Sequence, residues 1–249
     1  MWNKMRRKIA LRRRLRDRRY ARHVGRLGAW IGDVSLYPLL HAPWFRRLGV
    51  RTIIDIGANT GQFSKLCRFV MPTTHIIAFE PLPDCFIGLE STFAQDQHFT
   101  VFNLALGEQA GEATFHRNDF TPSSSLLELA PVHKEAFPFA ASTSDLAVPV
   151  RRLDDVVNPD NVERPILVKM DVQGFEGKVV RGGANVLAAA TIVVAEVSFA
   201  QLYYGQTSFV ELHDLLGGLG LRPGYIVSIL AYRTIREEEV RRTPPRQAV

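Results

Sequence analysis

The sequence predicts an α/β fold with a mostly parallel, doubly wound sheet, and three observations predict it. From Thr52 onward, apolar runs and helical patterns alternate in the βαβ manner. Ile166-Leu-Val and Ile192-Val-Val are continuous apolar runs, as strands covered on both faces are. The first run ends in Asp55 and a Gly-rich turn, and the second ends in Glu80. Those last features make half of a nucleotide-binding crevice, with a tight turn after one strand and a carboxylate at the end of the next.

The chain divides into four parts. Residues 1–26 form a basic arm, 27–50 an aromatic-rich cap broken by Pro38 and Pro43, 51–235 the main domain and 236–249 a frayed tail. The net charge of +6 conceals this division. Eleven Lys or Arg against Asp17 give residues 1–22 a charge of +10, which leaves −4 for the rest. Such an arm repels itself and is read either as a solubilising tail or as an adhesive for anionic membrane, with Trp2, Met5 and Ile9 at helical spacing. Nothing else in the chain supports nucleic acid as a partner. The cap is expected over the sheet or over the mouth of the crevice.

Strands are expected at Thr52–Ile56, His75–Phe79, Thr100–Ala105, Ile166–Asp171, Thr191–Val197 and Tyr225–Leu230. Helices are expected at Gln62–Val70, Pro83–Phe93, Phe175–Ala188 and Phe209–Leu219, the last closed by Gly217, Gly218 and Gly220. Glu112–His116 alternates like an extra strand, and Val148–Val157 reads as an edge strand entering a short helix. Residues 118–145, rich in Ser, Pro and Phe, read as a lid insertion.

No apolar stretch is long and clean enough to span a membrane, and the basic start lacks the apolar core of a secretory signal. Cys67 and Cys85 stand far apart and outside any C-x-x-C, which suits packing in a reducing cytosol and neither a disulfide nor zinc. The expected location is cytoplasmic, peripheral to the inner membrane surface if the arm adheres. Oligomeric state is not legible.

The turn decides between ligands. A dinucleotide calls for G-x-G-x-x-G and rests its pyrophosphate on the next helix N-terminus. Here the turn is Asp55-x-Gly57-x-Asn59-x-Gly61. An acid beside phosphate is repelled, whereas an acid beside an ammonium is attracted. S-adenosylmethionine (SAM) carries adenosine and an ammonium but no phosphate, so the turn favours SAM.

Four pieces then carry a resemblance: Asp55–Gly61, Ala78-Phe-Glu-Pro81, Asn103-Leu-Ala-Leu-Gly107, and Lys169–Glu176 followed by Val194-Ala-Glu196. In their order and spacing the chain resembles an FkbM-type SAM-dependent methyltransferase from about Thr52 to about Tyr225. The resemblance implies a Rossmann-like class I methyltransferase fold and transfer of a methyl group to a hydroxyl of a sugar, glycolipid or polyketide-like metabolite. One departure is Gln173, where the family usually has Glu.

The residues to weigh end the strands: Asp55, Glu80, Asn103, Asp171 and Glu196. Asp55 and Gly57 are expected at the amino-acid end of SAM, Asn59 and Gly61 in the turn, and Glu80 on the ribose hydroxyls. Asn103 either reads the adenine edge or forms a turn. Removing a hydroxyl proton calls for a carboxylate or His in reach of the acceptor. Asp171 is the candidate base or a helix N-cap. Glu176, at a helix start, is expected to have a lowered pKa and to be the poorer base. With Gln173 offering a neutral oxygen, no metal is expected. His116 and His133 read as surface or packing residues, and Ser123-Ser-Ser125 as a polar loop with some capacity for sugar hydroxyls. Two other readings stay open: an NAD-linked oxidoreductase, and a non-catalytic SAM- or nucleotide-binding protein tethered to membrane.

Overall fold

The computed structural model describes residues 36–137 and 142–222. In chain order the elements are α1 (Tyr37–Leu40), α2 (Pro43–Arg47), β1 (Thr52–Ile56), α3 (Gln62–Val70), β2 (His75–Phe79), α4 (Pro83–Thr92), β3 (Phe99–Phe102) and β4 (Ala105–Leu106). Then come β5 (Gly111–Asn118), a 3₁₀ turn (Thr121–Ser123), α5 (Pro131–Ala136), β6 (Thr143–Arg151) and α6 (Leu153–Val156). The series closes with β7 (Ile166–Met170), α7 (Glu176–Gly182), α8 (Ala184–Ala189), β8 (Ile192–Ala195) and α9 (Phe209–Gly218).

Five parallel strands form the main sheet in the order β3-β2-β1-β7-β8. The chain lays β2 and β3 on one side of β1, then returns to place β7 and β8 on the other. The order therefore reverses at β1, and the crevice opens at the carboxyl ends there. Both faces are covered, which is why the strands read as unbroken apolar runs. Ile54, Ile56, Ile166, Val168 and Met170 face Val179, Val180, Val186, Leu187 and Leu212 from the later helices. On the opposite face Ile53, Ile76 and Leu167 meet Phe63, Leu66 and Cys67 of α3. Each such side chain, fully withdrawn from water, contributes on the order of 1.5–3 kcal/mol before entropy is charged against it.

Helix α3 shows how sequence sets one element. Phe63, Leu66 and Cys67 recur at helical spacing and are buried. Gly61 opens the helix in the left-handed region at φ +83°, and the pattern stops before Pro72. At α9 the Ser208 hydroxyl accepts from the Glu211 backbone N–H, a helix-starting cap.

Several expectations are corrected. The described part of the cap, α1 and α2, packs through Tyr37, Leu40 and Phe45 against Ile53, Ile76 and Leu167. These side chains lie toward the strands' amino-terminal ends, so of the two expected places this part of the cap takes the one over the sheet and lies away from the crevice mouth. The third strand stops at Phe102, because the Asn103 side chain donates to the carbonyls of Glu80 and Pro81 and bends the chain out of the sheet. Ala105–Leu106 then joins a second sheet, β4-β6-β5. The helix expected over 175–188 divides at Gly182 and Gly183. A Cβ at Gly182 would stand 1.9 Å from the Gly107 carbonyl, and one at Gly183 would strike Leu153, so only glycines permit this close crossing.

The extra strand runs Gly111–Asn118, and its antiparallel partner begins at Thr143, earlier than expected. The described part of the lid holds one end of this hairpin, the 3₁₀ turn and α5. The strand expected at Tyr225–Leu230, the arm and the tail lie outside the described residues.

Candidate active site

Backbone hydrogen bonds place the candidate residues in one row. Gly57 and Ala58 donate to the Phe79 carbonyl (3.1 and 3.0 Å), Glu80 to Phe102 (3.1 Å), Asp171 to Ile56 (3.1 Å) and Glu196 to Met170 (3.0 Å). Each residue just past a strand is thus tied to the strand beside it. Asn103, Glu80, the 57–61 turn, Asp171 and Glu196 follow one another along the carboxyl edge.

The turn sits very close to β7. Gly57 has φ +76°, and a Cβ there would lie 2.0 Å from the Asp171 carbonyl oxygen. Asn59 is also left-handed, at φ 49°, which its short polar side chain tolerates. Its backbone N–H donates to Glu80 Oε2 (2.6 Å), and Leu82 N–H donates to Oε1 (2.9 Å). Glu80 is therefore no surface acid. It is buried, and burial raises its pKa to about 7 against the pull of those two donors.

Asp55 is fully buried, which revises its expected contact with a ligand. Its Oδ2 accepts from the Ser64 hydroxyl at 2.7 Å, and its Oδ1 lies 3.3 Å from the Lys169 ammonium, in ion-pair contact outside hydrogen-bond geometry. Its charge reaches the crevice through Lys169, which donates to the Gly57 carbonyl (2.8 Å) and sits 3.5 Å from Asp171. Burial pushes the Lys169 pKa down, but Asp55 and Asp171 outweigh it and hold the ammonium above the ordinary lysine value. Among the described residues, Lys169 is the cation that this edge of the sheet buries.

Lys169 had no role in the sequence reading. The signal was a lysine inside the apolar run Ile166–Met170, and its meaning appears only in the register, where it pairs with Asp55 of β1. Asn103 spends its amide N–H groups on Glu80 and Pro81, which gives it the turn-forming role.

Glu176 is corrected more sharply. Its Oε1 accepts from Val172 (3.2 Å) and Gly174 (3.3 Å), which closes the loop between β7 and α7. Burial raises its pKa to about 7, the reverse of the lowering expected from a helix start, because desolvation outweighs those donors. Buried and turned back onto its own loop, Glu176 braces the turn that follows Asp171.

Asp171 is a third exposed. Gln173 Nε2 donates to its Oδ1 at 2.7 Å and approaches Glu196 Oε2 at 3.5 Å. From the lid, the Ser125 hydroxyl donates to the Gln173 carbonyl (2.9 Å), and Tyr203 OH lies 2.9 Å from Gln173 Oε1 and 3.1 Å from the Ser123 carbonyl. Of the lid serines, Ser125 thus reaches Gln173 and Ser123, through its carbonyl, reaches Tyr203, whereas His133 packs against the rings of Phe137 and Tyr203.

The profile of the Methyltransferase FkbM domain matches residues 55–227, from the acid that opens the turn to beyond α9. The chain belongs to the FkbM methyltransferase family. This methyltransferase is 26% identical over 170 residues to the 2-O-methyltransferase NoeI of Sinorhizobium fredii, covering 66% of this chain and 70% of that one. It is 24% identical over 144 residues to the hexuronic acid methyltransferase AglP of Haloferax volcanii, covering 57% and 54%. With the methyltransferase sdnD of Sordaria araneosa it shares 30% over 153 residues, covering 52% and 59%. The chain thus spans 70% of the first relative and a little over half of the other two. The match sets aside an NAD-linked oxidoreductase. No helix among the described residues is long and apolar enough to cross a membrane.

Proposed function

We propose that this methyltransferase is a SAM-dependent O-methyltransferase acting on a hydroxyl of a sugar, glycolipid or polyketide-like metabolite. The carrying observation is the charge of the crevice edge: Glu80, Asp171 and Glu196 stand in one row, and the buried cation beside them, Lys169, is already engaged by Asp55, Asp171 and the Gly57 carbonyl. A pyrophosphate at these strand ends would meet the three acids, with Lys169 already taken. A ligand with ribose hydroxyls and positive charge finds acceptors. The site therefore fits SAM, with Glu80 on the ribose, Gly57, Asn59 and Gly61 shaping the turn, and Asp55 acting from beneath it. When bound, SAM supplies a sulfonium methyl, and the acceptor's new oxygen–carbon bond replaces the carbon–sulfur bond, whose electron pair stays on sulfur.

The chain's own work is to orient the acceptor hydroxyl and take its proton. Asp171 and Glu196 are the acids of the row that solvent reaches, and Asp171, beside the Gly57 turn, is the candidate base; a well-placed base is worth about a hundredfold or more in rate. Transfer to oxygen takes support from the likeness to NoeI, a 2-O-methyltransferase, and the sugar reading from the likeness to AglP, a hexuronic acid methyltransferase. Titration of the purified protein with SAM and with NAD, followed by turnover on sugar acceptors, tests it. SAM binding and a turnover loss of about a hundredfold in Asp171→Asn, with SAM affinity little changed, is the expected result. A preference for NAD defeats the reading.

The eleven cations of residues 1–22 support a second part of it, adhesion to an anionic lipid surface that presents a lipid-linked acceptor. A peripheral place at the inner membrane surface follows from that adhesion.

A further inference from the structure

The Asp171 carboxylate is bonded sideways to its neighbours, and that arrangement carries an inference that rests on the methyl-transfer reading. Asp171 and Glu196 follow the adjacent strands β7 and β8 at the same level, since Met170 pairs with Ala195. Two acids at neighbouring strand ends repel each other unless something lies between them. Gln173 does. Its amide N–H₂ faces both carboxylates, at 2.7 and 3.5 Å, and its carbonyl faces the Tyr203 hydroxyl. Acids on one side and a hydroxyl donor on the other fix the amide's orientation. Gln173 also holds the left-handed φ of 53°, retained by Ser125 on its carbonyl and Thr207 on that of Gly174.

We propose that Asp171 and Glu196 act as one proton-accepting pair, joined by Gln173 as its positioning residue. The acceptor's O–H bond breaks, its electron pair stays on the acceptor oxygen, and the proton passes to a carboxylate oxygen of the pair. The second carboxyl group keeps the newly protonated one hydrogen-bonded and hands the proton on to solvent, to which Glu196 is open. Charge on Asp171, and then burial, raise the Glu196 pKa to about 8, the electrostatic sign of two acids set side by side. Lys169 from β7, Glu176 from α7 and Tyr203 from the segment after β8 face the pair, and Asp55 of β1 lies behind Lys169.

Carboxyl-carbon NMR of the labelled protein, free of SAM and acceptor, reads the Glu196 titration directly. In Asp171→Asn the Glu196 inflection should fall by about two units, since its largest cause is gone. In Gln173→Glu a third acid stands in the row, and the inflection should rise by about one unit. An unmoved Glu196 in either variant overturns the pair. In turnover, Glu196→Gln should lower kcat about tenfold and shift its pH profile while SAM affinity holds. Full kcat with an unchanged profile in Glu196→Gln also overturns the pair, even where the titrations are linked. The titrations stand apart from the methyl-transfer reading, whose own failure shows as absence of SAM binding.

Discussion

Replacing Gly57 by alanine tests whether the turn and the candidate base are one mechanical unit. The added Cβ would lie 2.0 Å from the Asp171 carbonyl oxygen and 3.0 Å from its carbon. Ordinary contact needs about 3.4 Å, so the turn and the end of β7 must part by more than an ångström. Two bonds oppose that movement: Asp171 N–H to the Ile56 carbonyl at 3.1 Å, and Lys169 to the Gly57 carbonyl at 2.8 Å. The left-handed φ of +76° adds roughly 1–2 kcal/mol for a residue with a Cβ. Loss of a buried bond adds about 1–3 kcal/mol, for a total of about 2–5 kcal/mol. In a chain of this size that is a fall in Tm of about 10 °C. Calorimetric melting, followed by SAM titration of whatever remains folded, measures it. A variant that melts within about 2 °C of the parent and keeps Asp171-dependent turnover would refute the close approach of turn and base.

The remaining predictions concern charge. Glu80 must be ionised to accept two ribose hydroxyls, and with its pKa raised to about 7, SAM affinity should fall about tenfold from pH 8 to pH 6. Glu80→Gln should flatten that dependence, and calorimetry at several pH values checks both. A raised carboxyl pKa also means that Glu80 favours the fold below its ordinary value of 4.5 and ceases to do so as pH rises through about 7. Melting of the free protein should accordingly be higher near pH 5 than near pH 8. Residues 1–22 should carry the protein upward with vesicles of anionic lipid at low salt and release it as salt rises, because the attraction is screened over about 10 Å at 0.1 M. Deleting them should lower activity on a membrane-embedded acceptor and leave SAM affinity unchanged; flotation with neither anionic nor neutral vesicles marks the arm as a solubilising tail.

The sequence by itself determined the strands of the reversal point and the row of acids that ends them. Thr52–Ile56 and His75–Phe79 are strands with those bounds, because a continuous apolar run closed by an acid and a turn has few other stable conformations. Glu80 and Asp171 were legible as strand-end acids for the same reason, since a carboxylate after a buried strand stands where ligands bind.

Tertiary structure decided which acid faces outward. Asp55 and Glu176 look as open as Asp171 in the sequence, yet one is buried beneath the turn and the other folds back to its own loop. Lys169 reads as an oddity until register sets it beside Asp55. Gln173 reads as a lost charge until its amide is found between Asp171 and Glu196. A sequence fixes the residue types along each strand, but whether a charge is exposed or neutralised depends on partners as much as 114 positions away, as for Asp55 and Lys169. Only the packed sheet brings those partners together, and at short range in a dry interior their charges decide each other's state.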